Sequence, residues 1–158
     1  MSELKPAAQR VQDALRARGL GCEVRHMSHT TRTAAEAAKA CGCSVGQIVK
    51  SLIFRGGRSG KPYLLLVSGA NRVDEKGIAS AIGEPLRRPD AQDVRDITGF
   101  AIGGIPPLGH DTPLATYMDE ALLTYAVVWA AAGTPDAVFA IAPAQLAEAT
   151  AATIIAMG

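Results

Sequence analysis

The sequence predicts an α+β fold: a mixed, largely antiparallel, barrel-like sheet with helices packed outside. Three observations predict it. Apolar runs of strand length, such as Ile48–Arg55 and Tyr63–Ser68, alternate with alanine-rich segments of helical period. Most of those helical segments open on Thr, Ser or Asp and close on Gly, so their ends are specified locally. The last third of the chain carries short apolar runs separated by turn residues, the pattern of an antiparallel series. At 158 residues, one domain spanning 1–158 is expected, with a core of Ala, Val, Leu and Ile because aromatics are only 4%.

In chain order, Pro6–Arg18 places Val11, Ala14 and Leu15 on one stripe and ends at Gly19 and Gly21, a first amphipathic helix. Cys22–Met27 alternates loosely and reads as a short strand containing His26. Thr33-Ala-Ala-Glu36 is a capping box whose helix Gly42 stops, and Ser44–Gln47 opens a further helical turn. In the strand Ile48–Arg55, period two puts Lys50, Leu52 and Phe54 on one face and Ser51, Ile53 and Arg55 on the other. Arg55–Lys61 is a hairpin loop, and the apolar Tyr63–Ser68 returns as a strand central in its sheet. Asp74 caps a helix stopped by Gly83, Glu84–Arg88 is a short strand, and Asp90 caps a helix reaching Thr98. Leu114–Tyr125 reads as strand, turn, strand, with Asp119-Glu120 in the middle. Val127–Ala132 and Ala137–Ala142 continue the antiparallel run, Pro143 opens a last helix, and Thr153–Ala156 adds an edge strand.

Composition narrows the function classes. Sixteen Lys and Arg against fifteen Asp and Glu give a net charge of +1, so any nucleic-acid contact must come from a local cluster. Arg55, Arg58, Lys61, Arg72, Arg87 and Arg88 are the cations available for one. Cys22, Cys41 and Cys43 are too few for a disulfide framework, and Cys41-Gly-Cys43 lacks the second ligand pair that zinc requires, so no metal is expected. With no leader-like segment and no apolar run of membrane length, a soluble, cytoplasmic protein without a membrane partner is expected. The nucleophile elbow, the phosphate-binding and dinucleotide loops and the His-Glu-x-x-His motif are all missing.

What remains is a site assembled from separate segments. Gly99–Gly109, followed by His110, is rich in glycine and proline, so it is stiff yet can bring main-chain groups against a ligand. Lys50 shares a strand face with two large apolar residues, an expensive place for an ammonium unless it meets an anion or reaches solvent. Asp119 is the matching acid, and His26 and His29 are acid/base candidates by residue type alone. No covalent nucleophile is evident in this set.

Six segments in order then resemble a known family: Thr33-Ala-Ala-Glu-Ala-Ala, Gln47-Ile-Val-Lys50-Ser-Leu-Ile-Phe, Asn71-Arg-Val-Asp, Gly103-Gly-Ile-Pro-Pro107-Leu-Gly, Met118-Asp119-Glu and Ala132-Gly133-Thr. Together they are similar to the YbaK/EbsC-type and prolyl-tRNA-synthetase-associated (ProX-like) aminoacyl-tRNA deacylases, over about residues 22 to 150. The resemblance implies that family's fold. It further implies a freestanding trans-editing hydrolase removing a small wrong amino acid (Ala, Cys, Ser or similar) from tRNA, most readily tRNA for proline. Water is then the nucleophile, with no covalent enzyme intermediate and no cofactor. Lys50, Gly103, Pro107 and Asp119 match the family's catalytic positions and Gly133 its turn beside the pocket; Gly104, His110, Gly133, Thr33 and His26 are expected as substrate-binding. The implied partners are the acceptor end of aminoacyl-tRNA and prolyl-tRNA synthetase, not DNA. Ile53, Leu66, Ile102, Leu52 and Phe54 are candidates for the pocket wall. A non-catalytic module binding tRNA or a small ligand, and an interaction protein docking on a synthetase or ribosome, are the competing readings.

Overall fold

The computed structural model describes residues 4–28 and 33–157. Helix α1 (Pro6–Ala17) leads to a two-residue strand β1 (Arg25–His26) and helix α2 (Ala34–Cys41). A 3-10 turn (Val45–Gln47) enters β2 (Ile48–Gly56), which pairs with β3 (Pro62–Ser68). Then come α3 (Glu75–Ile82), β4 (Leu86–Arg87), α4 (Ala91–Thr98) and β5 (Ala115–Asp119). After a second 3-10 turn (Glu120–Thr124), β6 (Val128–Ala131), β7 (Ala137–Ile141), α5 (Pro143–Thr150) and β8 (Thr153–Ile155) complete the chain. None of these helices is long and apolar enough to cross a membrane.

The caps anticipated from sequence are made. The side chains of Thr33, Asp74 and Asp90 accept from the N–H groups of Glu36, Gly77 and Asp93, and Gly42, Gly83 and Gly99 close their helices in left-handed conformations.

The strands form one eight-stranded mixed sheet in the order β1-β7-β6-β2-β3-β5-β8, with β4 paired to the far end of β2. It stays open, with β1 and β8 at its two ends. Its faces follow the period-two reading of β2, and the apolar β3 alternates between the same two sides. Val49, Ile53, Leu64 and Leu66 share a core with Val11 and Leu15 of α1, Val94 and Ile97 of α4 and Leu146 of α5. Phe54, Leu65 and Val67 pack against Ile78 of α3 and Met157 on the other side.

Three expectations need correction. The strand expected over Cys22–Met27 contracts to Arg25–His26, because Gln12 of α1 reaches across to bond Cys22 O and Val24 N and holds that stretch against the helix instead. The second strand expected before Tyr125 is a 3-10 turn: the Asp119 carboxylate accepts the Ala121 N–H and caps it. The late strands are also not one antiparallel run. β6 and β7 pair antiparallel, but β5 runs parallel to both β3 and β8.

Candidate functional site

The site begins with β2. Its hydrogen bonds to β3 follow a regular register from Val49↔Ser68 to Arg55↔Pro62. On its other side β2 has two partial neighbours: β6 pairs in parallel with Ile48 and Val49, and β4 pairs with Arg55 and Gly56. Between them lies a gap, and there a cavity of about 490 Å³ opens, lined by residues 48 to 54 of β2. Thr33 and Ala34 at the start of α2, Arg88 and Pro89 beyond β4, Val94 of α4, Ala131 of β6 and the loop 102–105 complete the wall.

Lys50 is half-buried in that wall and donates from Nζ to the Asn71 carbonyl at 2.5 Å. Burial lowers its pKa from the ordinary lysine value; the neighbouring Asp119 opposes that shift and Arg72 adds to it. Asp119 lies outside the cavity lining and is 1% exposed. One carboxylate oxygen accepts from Ser68 N (3.1 Å) and Asn71 Nδ2 (2.9 Å), the other from Ala121 N (3.0 Å). Asn71 thus joins the two groups, bonded to the acid through its side chain and to the ammonium through its main chain.

The glycine-proline loop contributes residues 102–105 to the same cavity wall. Gly103 has φ 102°, open to glycine and strained for other residues. Gly104 sits so close to the turn after β6 that a Cβ would lie 2.7 Å from Thr134 main-chain atoms, and its carbonyl accepts the Gly133 N–H at 2.8 Å. Ile102, at the cavity, is 59% exposed.

The expected site residues therefore separate. Lys50, Gly103, Gly104 and Thr33 line the cavity, as do Leu52, Ile53, Phe54 and Ile102. Leu66 is fully buried in the core and does not line it. Gly133 stands behind the loop as its support. Pro107 and His110 line a second, smaller cavity of about 190 Å³ instead. His110 turns inward, with Nε2 2.7 Å from the Pro106 carbonyl and its ring edge-on to Phe100. A carbonyl can only accept, so Nε2 carries the proton; burial pushes the His110 pKa below the usual value. His26 faces Asp136 across 2.9 Å and is not at the cavity, and His29 lies outside the described residues. The expected cationic cluster is thinned as well. Arg55 is held by both oxygens of Asp93 at 2.6 Å and by Gly60 O, which leaves Arg88 as its representative at the cavity.

Two polar lining residues were not expected at the cavity itself: Arg88 was expected only in the cationic cluster, and Ser51 had no site role. Arg88 sits 5.6 Å over the Phe54 ring and pairs with Glu75. Ser51 carries a buried hydroxyl with no hydrogen-bond partner among the described residues. Period two placed Ser51 on the face opposite Lys50, but nothing local in sequence signals that β2 lacks a neighbour there.

This arrangement can hold a polar group against an ammonium and present main-chain groups of the loop to the same cavity. Comparison with known proteins places it. Residues 28–149 match the family described as the aminoacyl-tRNA editing domain. The chain belongs to that family. Membership supports a deacylase role acting on aminoacyl-tRNA. Among the editing domain's relatives, the uncharacterized YwhH of Bacillus subtilis (strain 168) is 29% identical over 126 residues, covering 80% of each chain. A protein named as a candidate Cys-tRNA(Pro)/Cys-tRNA(Cys) deacylase, EbsC of Enterococcus faecalis, is 28% identical over 127 residues, 75% of this chain and 77% of its own. A crystal structure described as a candidate trans-editing enzyme for prolyl-tRNA synthetase superposes with a TM-score of 0.93 at 51% identity, over 98% of both chains. The editing domain shares that structure's fold along nearly its whole length.

Proposed function

We propose that this editing domain hydrolyses the ester linking a small wrong amino acid to tRNA, with tRNA for proline as the foremost substrate. One observation carries the reading: a half-buried ammonium and a glycine main-chain loop line one cavity of about 490 Å³, a volume usual for small-molecule sites. Lys50 binds the polar end of the aminoacyl ester, and main-chain groups of Gly103 and Gly104 orient the ester carbonyl or the attacking water. As the tetrahedral intermediate forms, charge builds on the carbonyl oxygen, where each preplaced donor contributes about 2.7–4 kcal/mol of transition-state stabilisation. Two hydroxyls line the cavity: Ser51 has no hydrogen-bonded base among the described residues, and Thr33 is engaged as the cap of α2, accepting the Glu36 N–H and donating to the Glu36 carboxylate. In this reading water is the nucleophile, and the ribose oxygen leaves with the proton.

Asp119 has a positioning role in this reading, acting on Lys50 through Asn71. Pro107 and His110 likewise act on the loop from behind. The wall of Leu52, Ile53, Phe54 and Ile102 excludes by size, which suits a second sieve for errors that a synthetase cannot reject by binding alone. The Cys-tRNA(Pro) named for EbsC and the prolyl-tRNA synthetase named for the structural relative favour tRNA for proline and that synthetase as partner.

The test is deacylation of tRNA for proline charged separately with alanine, cysteine and serine, by wild type and Lys50→Ala. Release of amino acid in excess of enzyme, lost in the variant, is expected. Protection of all three esters would overturn the reading in favour of a binding module.

A further inference from the structure

The gap in the sheet has a chemical face of its own. In the β2–β3 ladder, Ile48 O accepts from Gly69 N at 2.7 Å and Gly56 N donates to Lys61 O at 2.8 Å. Main-chain groups of an antiparallel strand point to alternate sides residue by residue, and the register between these bonds is unbroken. The even-numbered residues 48 to 56 therefore bond β3, and the odd-numbered ones point the other way. Val49 meets β6 and Arg55 meets β4 on that side. Among the described residues, Ser51 and Ile53 have no strand partner there. Their N–H and C=O groups face the cavity, in a segment where Ile53 is 8% exposed and the Ser51 hydroxyl is itself unpartnered. More than nine in ten buried main-chain polar groups are paired, so two unpaired residues inside one cavity wall are a binding surface rather than ordinary strand.

The geometry points to recognition of the substrate as one added strand residue: the aminoacyl group docks in extended form on the free edge of β2 at Ser51 and Ile53. An extended residue presents its amine and its carbonyl toward the same side. An aminoacyl ester carries the same two groups at the same separation, so its amine donates to a carbonyl of the edge while its ester carbonyl accepts an N–H from it. The open stretch from Val49 to Arg55 spans about 20 Å at strand rise, enough for one residue and its ribose. Main-chain contacts of this kind are indifferent to the side chain. Selection among amino acids is then left to the apolar wall. This inference rests on the deacylase reading for its ligand and adds how that ligand is held.

The experiment uses the ¹⁵N-labelled full chain and a stable amide analogue, 3′-deoxy-3′-(L-alanylamino)adenosine. Residue-resolved amide exchange is followed with and without it. Without the analogue, Ser51 and Ile53 should exchange fast while Leu52 and Phe54, bonded to β3, are protected. Saturating analogue should slow Ser51 or Ile53 at least tenfold and leave Leu52 and Phe54 unchanged. The propionyl counterpart, which lacks the amine, should bind at least tenfold more weakly, the effect of losing one charged hydrogen bond. Docking on the edge is overturned if Ser51 and Ile53 are as protected as Leu52 in the free protein, if neither responds to the analogue, or if the analogue does not bind at millimolar concentration. Deacylation of charged tRNA with silent Ser51 and Ile53 amides would remove the docking mode and leave the enzyme. Protection of these amides without any deacylation would do the reverse.

Discussion

Replacing Asp119 by Asn tests the chain of contacts behind Lys50. The carboxylate is 1% exposed and accepts three hydrogen bonds, from Ser68 N, Asn71 Nδ2 and Ala121 N. An amide of the same shape offers one accepting oxygen. If that oxygen keeps Ser68 and Asn71, the new NH₂ points at the Ala121 N–H, and one bond becomes a donor facing a donor. Losing a hydrogen bond to a buried charged group costs about 1.5–3 kcal/mol. At a urea slope of about 2 kcal/mol per molar, the unfolding midpoint should fall by about 0.8–1.5 M. The folded variant should also lose function. Lys50 loses the negative charge that offsets its burial, and Asn71, whose carbonyl holds its Nζ at 2.5 Å, loses the charge that fixes its side chain. Deacylation measured under conditions where the variant is fully folded should fall by about a hundredfold in kcat/KM, about 2.7 kcal/mol. The reasoning is refuted if Asp119→Asn unfolds at the wild-type urea concentration, or if it is destabilised as stated but turns over at the wild-type rate. The second result would mean that Lys50 does not depend on Asp119.

Four further expectations follow from particular contacts. Gly104→Ala sets a methyl 2.7 Å from the Thr134 main chain and should lower both stability, by about 1–3 kcal/mol, and deacylation, whereas Gly21→Ala, with no atom within 4 Å, serves as a control of unchanged melting temperature. The lowered Lys50 pKa predicts that the propionyl analogue, which has no amine of its own to titrate, loses affinity on raising the pH sooner than an ordinary lysine would allow, and Lys50→Arg should abolish that pH dependence. Glu84 accepts from Ser59 N and Oγ, Tyr63 Oη and Arg58 N, which holds its pKa at about 2 against an ordinary 4.5; its contribution is complete above pH 4.5 and lost on acidification toward 2, so Glu84→Gln should flatten the urea-midpoint profile across that window. His110 is shifted the opposite way for a base, favouring the neutral ring in the fold, so stability should fall as the pH drops below the ordinary histidine value of 6.5, and His110→Gln should remove that part of the decline.

Features fixed by neighbours in sequence were legible, and features fixed by distant partners were not. Thr33, Asp74 and Asp90 each cap a helix three residues ahead, a bond the local pattern specifies. The alternation of Lys50, Leu52 and Phe54 gave their common face, which the two cores on opposite sides of the sheet bear out. Asp119 was visible as an acid, but its burial under Ser68 and Asn71 depends on β5 lying parallel to β3, some fifty residues earlier. His110 reads as a loop residue beside a candidate site, yet its ring turns to Pro106 because that carbonyl and Phe100 are near in space. Arg55 reads as a free cation until Asp93 of α4 is brought to it.

The cavity itself arises from what two short strands leave unfinished. β4 is confined to Leu86 and Arg87 between Pro85 and Pro89, residues that cannot donate to a ladder. β6 pairs with β2 only at Ile48 and Val49, then runs through Ala131 to the turn whose Gly133 grips Gly104. The same turn that draws β6 away from β2 therefore anchors the loop that roofs the gap. A longer β6 or β4 would satisfy Ser51 and Ile53, fill the cavity and bury Lys50 without an exit, which a half-buried ammonium does not tolerate without a paired charge. The incomplete sheet, the free strand edge and the retained cation thus occur together in one wall, and the proposed ligand, with its amine and carbonyl, would enter where a strand would otherwise have been.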